Sequence, residues 1–342
     1  MILRSKSPLR IGLAGGGTDV SPYSDIYGGC ILNATIQKYA YATIMPRKDN
    51  KIVLHAVDQD IRVELEADSK LEIDGTLDLL KGVYNRVVKD FNHGAPLAFE
   101  LNTYVDAPAG SGLGSSSTLV VTILGAFTEW LKLPLGEYDM AHLAYDIERK
   151  DLDFAGGKQD QYAATFGGWN FMEFYKEDKV IVNPLRIRSQ YMEELQFNML
   201  MYYTGTSRLS SDIIEAQSTN VQKKSEKSIE AMHNLKEQAY MMKEAILKGE
   251  LNRIGDILDY GWKNKKATAL GVSSDNIDEI YEAAMKSGAT GGKISGAGGG
   301  GFMTFYCPGN TRYKVINTLK KFGGEIHNLT FSKYGLTTWE AK

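Results

Sequence analysis

The sequence predicts an α+β fold in two domains, and three observations carry that expectation. The chain has 342 residues, more than one hydrophobic core usually organises. In both halves, runs rich in β-branched and aromatic residues alternate with runs whose apolar residues recur every three to four positions. A break at Asn183-Pro184 divides these halves into an N-terminal domain, 1–183, and a C-terminal domain, 184–342. Hydrophobic residues make up 43% and charged residues 24%, a balance that favours a packed core over disorder.

Taken in order, LRIGLAG (9–15), ILNATIQKYAYATIM (31–45), KIVLHAV (51–57) and IRVELEA (61–67) read as strands. DLLKGVYNRVVKDF (78–91) reads as a helix and LAFELNTYV (97–105) as another strand. A helix follows from Ser115 to Leu131, and Met140, Leu143, Ala144 and Ile147 at helical spacing predict a further one ending near Lys150. GGWNFMEFY (167–175) reads as a strand, as does FNMLMYYTG (197–205) at the start of the second half. Helical stretches are expected over 211–248, 251–268 and 275–287, then strand signals in GGKISGAGGGGFMTFYC and EIHNLTF, with a helix near 311–322 between them. No internal repeat or low-complexity stretch occurs.

A net charge of −3 without a long basic run argues against nucleic acid or a membrane surface as a partner. No segment approaches the ~20 apolar residues that span a bilayer, and the start, MILRSKSPLRIG, lacks the apolar core of a signal peptide. Two isolated cysteines, Cys30 and Cys307, suit a reducing cytoplasm. His55, His93, His142, His233 and His327 are scattered without metal-ligand spacing. Composition therefore predicts a soluble, cytoplasmic, globular protein.

Chemistry enters with three glycine-rich stretches: GLAGGGTD (12–19) after a strand, APAGSGLGSSST (107–118) between a strand and a helix, and KISGAGGGGF (293–302) leading into a strand. Glycine lets a ligand approach backbone amides closely. Ser115, Ser116 and Ser117 stand where a helix should begin and suit an N-cap. A helix N-terminus offers unpaired amides and partial positive charge, so this stretch reads as a phosphate cradle, the alternative being a capped turn in a tightly packed place. No GxxxxGK[ST] loop occurs: Gly292-Lys293 is followed by Ile294, and Ser287 stands where the first glycine belongs. Gly296, Gly298 and Gly301 match GxGxxG, but a strand follows rather than a helix, against a Rossmann dehydrogenase.

The three stretches together resemble the three motifs of the GHMP small-molecule kinases, the family of galactokinase, homoserine kinase, mevalonate kinase and phosphomevalonate kinase. The resemblance covers nearly the whole chain. It implies an N-terminal domain resembling a ribosomal-protein fold, a ferredoxin-like C-terminal domain, and ATP and a sugar bound between them. Galactokinases carry Gly-Glu-His-Thr-Asp in the first motif; here the run is Ala14-Gly15-Gly16-Gly17-Thr18-Asp19. That departure, with GGKQDQYAATFGG (156–168) and YYTGTSRLSS (202–211), resembles the family's heptose-phosphate kinase branch, with the fucokinase domains as near neighbours. The branch implies transfer of the γ-phosphoryl group of ATP to the anomeric hydroxyl of a phosphorylated heptose. Its alternatives are a fucokinase- or galactokinase-like kinase of an unphosphorylated sugar and an ATP-dependent decarboxylase of the diphosphomevalonate type.

The same resemblance distributes roles. Asp160 matches the carboxylate at the acceptor hydroxyl, where it would take the proton or orient the oxygen, and Arg10 matches the basic residue of the first motif. Pro108, Gly110, Ser111, Gly112, Leu113, Gly114, Ser115, Ser116 and Ser117, with Gly298, are expected at ATP. Ser116 and Glu148 match a magnesium pair, and Mg²⁺ suits few protein oxygens beside phosphates and water. The alternative for Glu148 is a solvated charge at a helix end. Gly16, Gly17, Thr18 and Asp19 are expected to hold sugar hydroxyls, and Lys158 and Arg208 are candidates for a substrate phosphate or else solvated charges. The lysine- and glutamate-rich stretch 222–248 reads as a solvated helix face.

Overall fold

The computed structural model describes residues 1–206 and 210–342. In chain order the N-terminal elements are β1 (Ile2–Ala14), α1 (Tyr23–Tyr27), β2 (Gly29–Pro46), β3 (Lys51–Ala56), β4 (Ile61–Glu66), α2 (Asp78–Phe91), β5 (Phe99–Val105), α3 (Ser115–Leu131), α4 (Glu137–Asp146), α5 (Gln159–Phe166), β6 (Trp169–Phe174) and β7 (Val180–Pro184). They are followed by α6 (Ser189–Asn198), β8 (Met199–Tyr203), α7 (Ser210–Gln222), α8 (Glu226–Lys248), α9 (Ile254–Thr268), α10 (Asp275–Ser287), β9 (Gly291–Ile294), β10 (Phe302–Tyr306), α11 (Arg312–Leu319), β11 (Glu325–His327) and β12 (Thr337–Ala341).

The first sheet runs β12-β1-β2-β5-β3-β4, with β6 joining β2 and β7 beyond it. Only the β3–β5 pair is parallel. β2 is long enough to serve two partners: Gly29–Ala34 pairs with β6 and Ala40–Pro46 with β5. α3 packs across β1 and β2, and its residues from Ser117 to Phe127 are all buried, which explains why it is apolar on every face. The second sheet is antiparallel, in the order β11-β8-β10-β9. Counted among themselves these strands stand 4-1-3-2, with helices after the first and third, the split βαβ pattern of a ferredoxin-like unit.

Several elements differ from expectation. The helix expected over 211–248 is two helices, broken where Lys224 takes a positive φ of 54°. α8 then buries Ala231, Met232, Leu235, Gln238, Ala239 and Met242 at helical spacing, so one face of this charged stretch is core and only the other is solvated. The break at Asn183-Pro184 is the end of β7, where Pro184 closes an edge strand that needs no further ladder donor. Beyond it, β12 returns to pair with β1 in the first sheet, and one hydrophobic core runs from β1 and α3 through Met199 and Met242 to Leu258. No helix among the described residues is long and apolar enough to cross a membrane.

Candidate active site

The site begins at a fault in a strand. The register of β1 against β2 shifts between Pro8 and Arg10. There the Arg10 amide leaves the ladder and donates to the Leu113 carbonyl at 3.1 Å. Such irregularities re-aim side chains, and the buried Arg10 guanidinium points at Asp160: Nε to Oδ1 is 2.6 Å and Nη2 to Oδ2 is 2.8 Å. Its Nη1 donates to the Gly112 carbonyl at 2.5 Å. This fork fixes both carboxylate oxygens in a single plane and ties them to the phosphate loop. Asp160 lies in the first turn of α5, where free amides favour a carboxylate. Asp19 Oδ2 accepts from the amides of Lys158 and Gln159 at 2.9 and 3.1 Å, so Asp19 caps α5 and sets where Asp160 begins. Burial raises the Asp19 pKa above the usual carboxylate range, and the Asp160 charge adds to this, while the Gln159 amide works against it.

Opposite stands the phosphate loop. Gly114 is the N-cap of α3 with φ 77°, and a Cβ there would stand 3.0 Å from Asp160 Cγ, so only glycine lets the loop lie against the carboxylate. The three serines do not cap α3. Its first internal bond is Thr118 N to Gly114 O at 2.9 Å, and among the described residues the amides of Ser115, Ser116 and Ser117 meet no acceptor. Their hydroxyls are drawn elsewhere: Ser116 Oγ donates to Glu148 Oε1 at 2.5 Å and Ser117 Oγ to Oε2 at 2.6 Å. The result is an open anion site with a carboxylate beside it.

Glu148 sits in a π-helical turn, Ile147–Asp151, that continues α4. It is 2% exposed, not a solvated helix end. Gln161 Nε2 also donates to its Oε2 at 2.7 Å, and Arg149 Nη1 lies 3.2 Å from Oε1. No group of three or more His, Cys, Asp or Glu among the described residues forms a metal cage. That donor set still fits Mg²⁺, which takes one or two hard protein oxygens and completes its shell with phosphate and water. Ser116 Oγ and Glu148 Oε1 are such a pair.

These groups line one cleft of about 230 Å³. Of the residues expected at ATP, Gly110, Gly112, Gly114, Ser115, Ser116 and Ser117 reach it. The others do not line it. Leu113 is in the core, the Ser111 carbonyl accepts from Phe302 N at 3.0 Å, Pro108 is exposed, and Gly298 packs on the Val272 backbone. Of those expected at the sugar, Gly17 and Asp19 line the cleft. The Gly16 carbonyl accepts from Lys265 Nζ at 3.2 Å. Thr18 is turned inward, its hydroxyl donating to Gly15 O at 2.8 Å and accepting from Cys30 N at 3.0 Å. Lys158 Nζ is held 3.3 Å from Asp25 and 3.0 Å from Asp178, so its charge is spent on two carboxylates beside a neighbouring hollow. Arg208 lies outside the described residues. The cleft also contains Arg149, Gln159, Gln217 and Lys265, which sequence reasoning did not assign. The only signal was position, Arg149 next to Glu148 and Gln159 within GGKQDQ.

Residues 78–168 match the GHMP kinases N terminal domain, and residues 242–325 match the GHMP kinases C terminal domain. The chain belongs to the GHMP kinases. The kinase is 48% identical to the D-glycero-alpha-D-manno-heptose 7-phosphate kinase of Campylobacter jejuni, over 98% of each chain. It is 28% identical to the L-fucokinase/L-fucose-1-P guanylyltransferase of Bacteroides fragilis, over 88% of this chain and 34% of that one. Its fold superposes with TM-score 0.85 on a D-glycero-D-manno-heptose 1-phosphate kinase from Bacteriodes thetaiotaomicron, 46% identical over 99% of each chain. The two-domain architecture is that of a GHMP kinase, and the enzyme is a phosphotransferase of the sugar-kinase type.

Proposed function

We propose that the kinase transfers the γ-phosphoryl group of ATP to the anomeric hydroxyl of D-glycero-D-manno-heptose 7-phosphate, giving the 1,7-bisphosphate. The observation that supports this reading is that one cleft brings together the Arg10–Asp160 pair, the sugar-side residues Gly17 and Asp19, and the serines of the phosphate loop. The heptose 7-phosphate kinase of C. jejuni supports the choice of sugar. In this reading the free amides of Ser115, Ser116 and Ser117 bind nucleotide phosphate oxygens, and Ser116 with Glu148 holds Mg²⁺. The metal supplies charge that offsets phosphate repulsion. Asp160 accepts a hydrogen bond from the C1 hydroxyl and aligns it. The C1 oxygen then forms a bond to the γ-phosphorus, the bond from that phosphorus to the β,γ-bridging oxygen breaks, ADP leaves, and Asp160 takes the hydroxyl proton. Arg10 keeps the Asp160 carboxylate in one orientation throughout.

A substrate panel with ATP and Mg²⁺ tests the reading. The heptose 7-phosphate should be used far better than free heptose, galactose or fucose. If fucose or galactose is used better, the choice of substrate fails and only a sugar kinase remains.

A further inference from the structure

Two lysine ammonium groups beside the first glycine motif form no ion pair with any of the described residues. Lys293 opens the third motif in β9 and is 8% exposed; Lys265 lies in α9 and is 5% exposed. Lys265 Nζ donates to the Gly16 carbonyl at 3.2 Å, and it stands 2.9 Å from the position a Cβ would take at Gly17. Lys293 Nζ stands 3.8 Å from the corresponding position at Gly16 and 3.9 Å from that at Gly12. Among the described residues, no carboxylate lies within ion-pair distance of either ammonium, and Lys293 Nζ has no hydrogen-bond partner. Elsewhere in this region charges are matched. Arg10 is paired with Asp160, and Lys158 with Asp25 and Asp178. Asp19 is satisfied by the α5 amides.

A buried charge without a partner is unfavourable, and proteins retain one where a ligand supplies the partner. The strain registers in both groups. Burial pulls Lys293 down to about 7, with the charges of Lys265 and Arg10 adding to the effect. Burial pulls Lys265 down to about 8, with Asp19 opposing. Both ammoniums stand beside Gly16 and Gly17, the run expected at the sugar, which favours an anion carried by the acceptor over one carried by the nucleotide.

We infer that Lys265 and Lys293 form the receptor for the phosphate that the sugar substrate already carries. The inference rests on the reading of the substrate as a sugar phosphate and names the subsite that enforces it. It also gives Lys158, with its two carboxylates, a structural place instead of a phosphate contact.

The test is the ratio of kcat/KM for heptose 7-phosphate to that for free heptose, in the wild type and in Lys293→Met and Lys265→Met. Thermal midpoints of the ligand-free proteins are measured beside it. Loss of one partner from a buried ionic contact should lower the ratio by roughly 30-fold or more, mainly through the KM of the sugar phosphate. The KM of ATP should stay within about twofold of wild type. Lys293 Nζ has no partner among the described residues to lose, so Lys293→Met should leave the ligand-free midpoint equal or higher. A wild type that prefers the sugar phosphate with variants that keep the full ratio overturns the inference alone. A raised KM for ATP with an intact ratio assigns the lysines to the nucleotide and also overturns it. A lowered ligand-free midpoint in Lys293→Met makes Lys293 structural and overturns the inference. A wild type without preference for the phosphorylated sugar removes the substrate reading and the subsite together.

Discussion

Asp160 meets the Arg10 guanidinium on one side and the phosphate loop at Gly114 on the other. In the proposed reaction this is where an acceptor hydroxyl and a γ-phosphate would meet, and the Asp160 charge is what that chemistry would use. Asp160→Asn keeps the shape but weakens proton acceptance and the paired bond to Arg10. Its kcat should fall by at least roughly 100-fold while the KM of ATP changes little, measured by steady-state kinetics with the sugar phosphate. A kcat near wild type would move the proton acceptor elsewhere. That Arg10, Asp160, Glu148 and Ser116 come together in one cleft could be expected from the sequence, because each sits in a short motif with a fixed neighbourhood. The place of Lys265 could not, because a lysine on a helix carries no local pattern, and its partner Gly16 lies 249 residues away. The inward turn of Thr18 was hidden for a related reason: its hydroxyl serves Gly15 and Cys30, the latter twelve residues away, a contact the motif does not display.

At the scale of elements, α5 is the part whose position matters most. It has eight residues, too short to hold its own start, so the Asp19 cap orders it from another part of the chain. Asp19→Ala should cost about 1 kcal/mol of stability in denaturant melts and lower kcat, because the turn carrying Asp160 loosens. Asp19→Asn keeps an acceptor oxygen and should retain most of both. If both variants raise the KM of the sugar with no change in stability, Asp19 is a sugar ligand and not a cap. The same reasoning shows which elements the sequence displayed. α2, α3 and α10 match their expected spans, since each carries a strong pattern bounded by a turn signal. α1, α6, β7 and β12 did not stand out, being short elements that owe their conformation to neighbours. The break between α7 and α8 falls at Lys223-Lys224-Ser225, a place without glycine or proline, where the N-cap position of Ser225 was the one local sign.

At the scale of the whole molecule, the two sheets meet through glycine motifs. Phe302 N donates to Ser111 O at 3.0 Å, and a Cβ at Gly112 (φ 81°) would come within 2.3 Å of Ser295 O. The cleft is walled by Gly110 and Gly112 from the first half and by Lys265 and Gly296 from the second. β12 then closes the edge of β1, the strand that carries Arg10. In the proposed function this cleft would take both the acceptor and the nucleotide, which makes the position of the transferred phosphate the most direct readout. The central claim is that Asp160 presents the anomeric hydroxyl. The decisive measurement is the ³¹P NMR spectrum of the product formed from heptose 7-phosphate and ATP. The account predicts a bisphosphate whose new phosphorus couples to the anomeric proton. A new phosphate on any other carbon, or formation of the bisphosphate only from heptose 1-phosphate, would contradict it.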